Sequence, residues 1–443
     1  MRKPARYFNK ARLAKPSSLR EPFSPTGNVI SLKEYRVKFP FLFLLSIISL
    51  HCYGISDIEV KSWKADLVFY SQKLPEKHID LFHTISKQSF NEEVRLLKSS
   101  LTSLTNNQVL VELMKLTHKI GDGHTSFPLW GANLHSFPMQ LKMLKGKLYV
   151  IKTTKNFKHL LGAKLEAING INTEEIYRLF SQLTPFSENK YSTQVRAAQY
   201  IPKAELLNGL GIINDKFQAR FTFTIGKELF EQQLEPYSSN KYTASLNYQN
   251  NSIFSIEEKL NENLWFGSLS DKKVVYFKFR RYTSISKMES LGEDLLSFIN
   301  ENKSEKLIID LRDNYGGDFF VGLKLAQLLV LADSIDWKSG VYVLIDNVTF
   351  SAAMSNAAQF SQLLNAKLIG EPTGAKPSGY QDMGQFILPN SNLEVTYSKR
   401  LYHFTSESKD ALYPDVNIGV SIDDYISKKD PQLKWILNDI GLN

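Results

Sequence analysis

The chain has 443 residues and a formal net charge of +9, with 43% hydrophobic and 22% charged residues. This length has room for two or three domains, and the composition excludes a disordered or fibrous protein. Residues 1–40 hold ten basic and two acidic residues, a surplus of eight, so the other 403 carry about +1. A nearly neutral remainder excludes a broad basic face for nucleic acid. Cys52 is the only cysteine, which excludes a disulfide framework, a cysteine nucleophile in the folded part and a cysteine metal site.

The basic segment runs into FPFLFLLSIISL at residues 39–50. Twelve residues are short for a bilayer span. A basic flank, a short apolar run and a small residue, Gly54, fit a secretory signal. Export to a periplasm or the cell exterior is expected. An uncleaved anchor that keeps the chain near the membrane is the alternative. A lipoprotein reading through Cys52 is disfavoured because His51 precedes it.

Residues 58–120 read as helical. Trp63, Leu67, Tyr70 and Leu74 recur at spacings of three and four, as do Val109, Leu110, Leu113, Met114, Leu116 and Ile120. Gly121 stops the pattern. Gly121-Asp122-Gly123-His124-Thr125 then forms a tight loop with His124 at its tip. A single loop histidine is usually only a solvated side chain. These residues form the expected helical domain, residues 55–135.

Residues 137–154 alternate around Lys145-Gly146-Lys147, a hairpin signature. Residues 160–171 make a loop and a strand closed by Asn169-Gly170, and residues 173–183 are helical. This order resembles a degenerate PDZ domain, whose groove binds an extended peptide at a sheet edge. A small α+β linker domain without a ligand is the other reading. A helix over 191–210 and two strands within 217–234 complete residues 136–235. The polar stretch 236–256 reads as a linker.

From residue 260 strands alternate with helices. The strands lie at 274–279, 306–311, 341–345 and 367–369; the helices lie at 288–302 and 322–330. This predicts a layered α/β core in an α+β chain, with ligands at the carboxyl ends of the strands. A hairpin is expected from 385–388 and 393–397, and a terminal helix over 431–437. Ser351 follows the apolar strand VYVLI, where a helix begins. A serine there is either an N-cap or a nucleophile beside free backbone N–H groups. There is no P-loop, no GxGxxG after a strand, no HExxH and no GxSxG, so neither cofactor nor metal is expected.

Three stretches, in this order, resemble the serine peptidase family S41, which comprises the tail-specific or carboxyl-terminal processing proteases and the tricorn core protease. They are IIDLRDNYGGD at residues 308–318, the residues around Ser351, and IGEPTG at residues 369–374. The resemblance implies a catalytic core of ClpP/crotonase-like type in residues 236–443. It implies Ser351 as nucleophile, with the N–H groups of Ala352 and of Gly316 or Gly317 as oxyanion hole. It offers two bases. The processing branch places a lysine twenty-five residues after the serine, where this chain has Lys376. The tricorn branch uses a histidine, matched by His124. Histidine is favoured because its unperturbed pKa is ~6.5 and that of lysine is ~10.4. A supporting acid is expected before Pro414-Asp415, at Glu407 or Asp410, with Asp410 preferred. Met354 stands where the family commonly has an acid. Asp310 and Arg312 read as a structural ion pair. The expected substrate is a peptide or an unfolded protein tail. A catalytically silent binding module or a PDZ-type adaptor is the rival reading.

Overall fold

The computed structural model describes residues 55–214, 218–238, 242–246, 253–405 and 409–442. The apolar run at 39–50, Cys52, Glu407 and part of the 236–256 linker lie outside them. Among the described residues no helix is long and apolar enough to cross a membrane.

Three helices come first: α1 (Asp57–Lys77), α2 (Lys87–Ser100) and α3 (Asn106–His118). Each begins at a hydroxyl cap. Ser56, Ser86 and Thr105 accept the N–H of Glu59, Ser89 and Gln108, satisfying amides that have no intrahelical partner.

The chain continues with β1 (Met139–Leu144), β2 (Lys147–Thr153), β3 (Lys164–Ile168), β4 (Ile171–Asn172), α4 (Thr173–Phe180), α5 (Lys190–Tyr200), α6 (Ala204–Gly209), β5 (Ala219–Ile225), β6 (Glu228–Leu234) and β7 (Ala244–Ser245). The strands form one sheet in the order β1-β2-β3-β5-β6, with β4 on β3 and β7 on β2. Asn169 and Gly170 both take positive φ, 48° and 81°. A two-residue hairpin turn requires this, and Asn-Gly supplies it with little strain. The single helix expected over 191–210 is two helices, because Pro202 has no N–H to continue the ladder. The helices α1–α3 and this sheet share one core, in which Leu67, Tyr70 and Leu113 join Val150, Leu165 and Phe221.

The last part comprises β8 (Ser255–Asn261), β9 (Leu264–Ser268), β10 (Val274–Phe279), α7 (Ile285–Asn302), β11 (Lys306–Asp310), α8 (Phe319–Leu329), β12 (Val341–Ile345), α9 (Ala352–Leu363), β13 (Lys367–Gly370), β14 (Ser378–Ile387), β15 (Glu394–His403), β16 (Val416–Asn417), α10 (Ile422–Ile426) and α11 (Pro431–Asp439). Its sheet runs β16-β13-β12-β11-β10-β9-β8. The pairs from β10 through β13 to β16 are parallel, and β9 and β8 add an antiparallel edge. Alternate residues face opposite layers. Leu307, Ile309, Val341 and Val343 pack with α7–α9, while Ile308, Tyr342 and Leu344 pack with Leu433 and Ile436 of α11. This is the layered α/β core expected of the sequence.

The late hairpin is longer than expected. Strands β14 and β15 have ten residues each. Its turn is held by Asp66 of α1, whose carboxylate accepts the N–H of Asn390 at 2.9 Å and of Ser391 at 2.8 Å. Farther along, the Thr396 N–H donates to Ser126 O at 2.9 Å. The hairpin therefore ties the third region to the loop that follows α3.

Candidate active site

Ser351 lies in the turn between β12 and α9. Asp346 builds that turn: its Oδ1 accepts the N–H of Val348 and of Thr349, each at 3.0 Å. Burial and the neighbouring Asp313 charge push the Asp346 carboxyl up to about 6. The Phe350 N–H donates to Asn314 O at 3.0 Å, joining the serine turn to the glycine loop after β11. Ser351 has φ 51° and ψ −127°, a strained conformation for a residue with a Cβ. It occupies the N-cap of α9, yet its side chain makes no capping bond. The hydroxyl instead lies 2.9 Å from His124 Nε2. Of the two local readings of this serine, the geometry excludes the cap.

His124 is held from three sides. Its own N–H donates to Asp122 Oδ1 at 2.9 Å. The same carboxylate accepts the Ser398 hydroxyl of β15 at 2.6 Å and His78 Nε2–H at 2.9 Å. His78 Nδ1 accepts the Asp80 N–H, which places the His78 proton on Nε2. Burial pushes the Asp122 carboxyl up, but these partners together hold it down at about 2. The His124 ring stacks on Phe350, centroids 5.3 Å apart. Gly123 allows that approach, since a Cβ there would lie 2.7 Å from the Phe350 ring. Burial lowers the His124 pKa below its ordinary value, opposed by the Asp122 charge and the Tyr380 backbone and reinforced by Arg196. The imidazole is thus kept neutral and able to accept a proton. His124 Nδ1 is buried without a well-formed hydrogen bond among the described residues.

The structure brings His124 and Ser351 together across 227 positions, but not Lys376 or Asp410. The Lys376 N–H donates to Glu188 Oε2 at 3.1 Å, and Lys376 does not line the cleft that holds Ser351. Asp410 is exposed. Its carboxylate accepts the Tyr413 hydroxyl at 2.6 Å, and its backbone carbonyl accepts Asn189 Nδ2. Asp410 was expected from its place before Pro414-Asp415, but its own neighbour Tyr413 occupies it.

The two glycines differ. The Gly316 N–H donates to Asn314 Oδ1 at 2.9 Å. No hydrogen bond from the N–H of Gly317 or of Ala352 is found among the described residues. Gly316 nevertheless has to be glycine: its φ is +98°, and a Cβ would lie 2.8 Å from Ser351 Cβ and 3.0 Å from Ala352 N. Asp310 and Arg312 form the expected buried ion pair, 2.7 Å apart, which Asp430 extends. Met354 is fully buried among Phe186, Phe350 and Ala375.

Sequence reasoning missed Asp122, read only as part of a turn, and Glu188. Burial raises the Glu188 carboxyl to about 8 against the pull of Lys376. Its Oε2 would lie 3.3 Å from a Cβ at Gly123, so it sits directly behind the His124 loop. Nothing local in the sequence marks it. A cleft of about 930 Å³ opens in front of Ser351, walled by Trp130, Phe186, Tyr200, Tyr315, Phe319 and Tyr402. Among the described residues no group of three acidic, histidine or cysteine side chains could hold a metal ion.

No protein-family model matches the chain, and no curated protein matches it. Solved structures do. Mature CPAF complexed with lactacystin aligns at TM-score 0.60 over 86% of this chain and 98% of that one, with 11% identity. A CPAF mutant aligns at TM-score 0.59 over 86% and 97%, with 12% identity. The chain has the fold of CPAF. The photosystem II D1 C-terminal processing protease also aligns, over 81% of this chain and 93% of that one, at TM-score 0.40 and 14% identity.

Proposed function

We propose that this chain is a serine peptidase of the S41 type that hydrolyses peptide bonds of peptides or unfolded protein tails. One observation carries the reading: a non-capping serine hydroxyl in a strained strand-to-helix turn, 2.9 Å from a buried histidine. His124 Nε2 takes the proton as Ser351 Oγ attacks the scissile carbonyl. The oxyanion is received by the N–H groups of Ala352 and Gly317, the pair without other acceptors. His124 then returns the proton to the leaving amine, and water hydrolyses the acyl-enzyme by the same route. Asp122 positions the imidazole through the backbone rather than through the ring. Lys376 takes no part. The basic flank and apolar run at residues 39–50 support export.

A fluorophosphonate reagent and intact mass measurement test the reading. One adduct is expected on the parent chain, none on Ser351→Ala, together with loss of peptide hydrolysis. Lactacystin, present in a CPAF structure, serves as a second probe. Hydrolysis unchanged in Ser351→Ala refutes the mechanism.

A further inference from the structure

Asn314, in the loop after β11, joins three segments that meet at the serine. Its Nδ2 donates to the carbonyl of Phe279, the last residue of β10, at 2.6 Å. Its Oδ1 accepts the Gly316 N–H at 2.9 Å. Its own backbone carbonyl accepts the Phe350 N–H at 3.0 Å. Only 1% of Asn314 is exposed, and it does not line the cleft that holds Ser351. Each side of the amide faces a partner of the opposite kind, which fixes its orientation. The anchor is firm: β10 pairs in parallel with β11, the strand from which the loop departs, and Phe279 is fully buried.

The two segments that Asn314 holds carry the oxyanion donors. Gly316 precedes Gly317, and Phe350 stands two residues before Ala352. Gly317 and Ala352 both line the cleft with Ser351. The Gly316 amide is tied to Oδ1, and the next N–H along, that of Gly317, has no acceptor among the described residues. The Phe350 amide is tied to the Asn314 carbonyl, which holds the serine turn against the glycine loop. One residue therefore fixes both donors relative to each other. Donors act on a developing oxyanion best when they are preorganised, and a misplacement of about 1 Å can cost ~10²-fold in rate.

We propose that Asn314 is the positioning residue of the oxyanion hole: it sets the spacing of the Gly317 and Ala352 N–H groups and so stabilises the tetrahedral intermediate without touching the substrate. This rests on the peptidase reading above. The test separates binding of the ground state from binding of the tetrahedral state. Two probes carry the sequence that the parent chain hydrolyses fastest. One is a peptide aldehyde, which adds Ser351 Oγ and places its oxygen in the hole. The other is the same peptide ending in an amide, which binds without a covalent bond. Asn314→Ala in the full-length chain should lower kcat by ~10²-fold, keep KM within about threefold, and weaken the aldehyde by a similar ~10²-fold factor. Affinity for the amide, measured by fluorescence anisotropy in the Ser351→Ala background, should change by less than about twofold. Asn314→Ser should recover about tenfold of the lost kcat, because a serine hydroxyl still accepts the N–H two residues on, though more weakly. A residue needed only for folding would lower the folded fraction and affect both probes equally. An aldehyde affinity that holds, equal losses for the two probes, or Asn314→Ser no better than Asn314→Ala overturns the proposal. If Asn314→Ala does not fold, Asn314→Ser carries the test, and the aldehyde should lose about fivefold more affinity than the amide. A parent chain that hydrolyses no peptide sinks the peptidase reading and this one with it; an adverse result in an active parent sinks this one alone.

Discussion

Glu188 offers the clearest quantitative test of the site's electrostatics. Burial holds its carboxyl near 8, against an ordinary value of 4.5. The sign follows from proton counting. Between these two values the folded chain keeps the proton and the unfolded chain releases it, so stability falls as pH rises. At pH 7 the interval from 4.5 is about 2.5 units, or roughly 3.4 kcal/mol at 1.36 kcal/mol per unit. Part of the residue's surface reaches solvent, which screens the charge and brings the figure to about 2–3 kcal/mol. Glu188→Gln keeps an acceptor for the Lys376 N–H and cannot ionise. It should match the parent near pH 4.5, exceed it by about 2–3 kcal/mol at pH 7, and exceed it further at pH 8. Other buried acids such as Asp346 titrate in both proteins and cancel in the difference. Urea unfolding of both proteins from pH 4.5 to 9 measures it. Parallel stability profiles across that range would refute the argument that this carboxyl is neutral in the folded state.

The remaining expectations concern catalysis. His124→Ala should lower kcat/KM by ~10²–10⁴, whereas Lys376→Ala should stay within about threefold; the opposite ranking in a peptide assay removes His124 as base. Because burial depresses the His124 pKa and only the neutral ring accepts a proton, kcat/KM should rise with pH through a limb below ~6.5. Arg196 lowers that pKa and Asp122 raises it, so Arg196→Gln should move the limb to higher pH and Asp122→Asn to lower pH; shifts in the same direction would contradict the assigned fields. Gly316→Ala places a Cβ 2.8 Å from Ser351 Cβ and forces a positive φ on alanine, a strain of about 1–3 kcal/mol. Activity and fluorophosphonate labelling should both drop by ~10² or more, while circular dichroism keeps its native form.

Parts of the site were legible because they obey local rules. The run VYVLI is apolar at every position, as a strand buried on both faces requires, and the small residues after it start a helix. The sequence could not decide what Ser351 does, since a cap and a nucleophile want the same place at a helix start. The decision lies in φ 51° and in a hydroxyl turned away from its own helix. The choice between His124 and Lys376 depended on which chain segment folds back onto the serine, which periodicity does not encode. Asp410 failed for a related reason. A position in sequence order carries no information about where a side chain points, and Tyr413 claims that carboxylate. Strand β8 escaped because its residues are almost all exposed, leaving no alternation to read.

The hairpin of β14 and β15 was among the least visible features. Only 385–388 and 393–397 of the hairpin read as strand, because Ser378–Gly384 mixes glycine and polar residues that are half-buried on both faces. Yet the hairpin touches the loop of His124 directly, through Thr396 and Ser398. Ser351 belongs to the second sheet, whereas the loop of His124 follows α3, whose side chains pack in the other core. Bringing the two loops together costs entropy that grows only slowly with chain separation, so 227 intervening positions are no obstacle. What must be controlled is the relative position of the two cores, since a displacement of about 1 Å can cost ~10²-fold in rate. The hairpin joins the first core through the Thr396–Ser126 bridge, the Ser398–Asp122 bond and Asp66 at its turn, while Tyr402 of β15 meets Phe319 of α8, 5.5 Å between ring centroids. His124 contributes only its own N–H bond to Asp122; the other donors and acceptors that hold its loop come from segments that no local pattern connects.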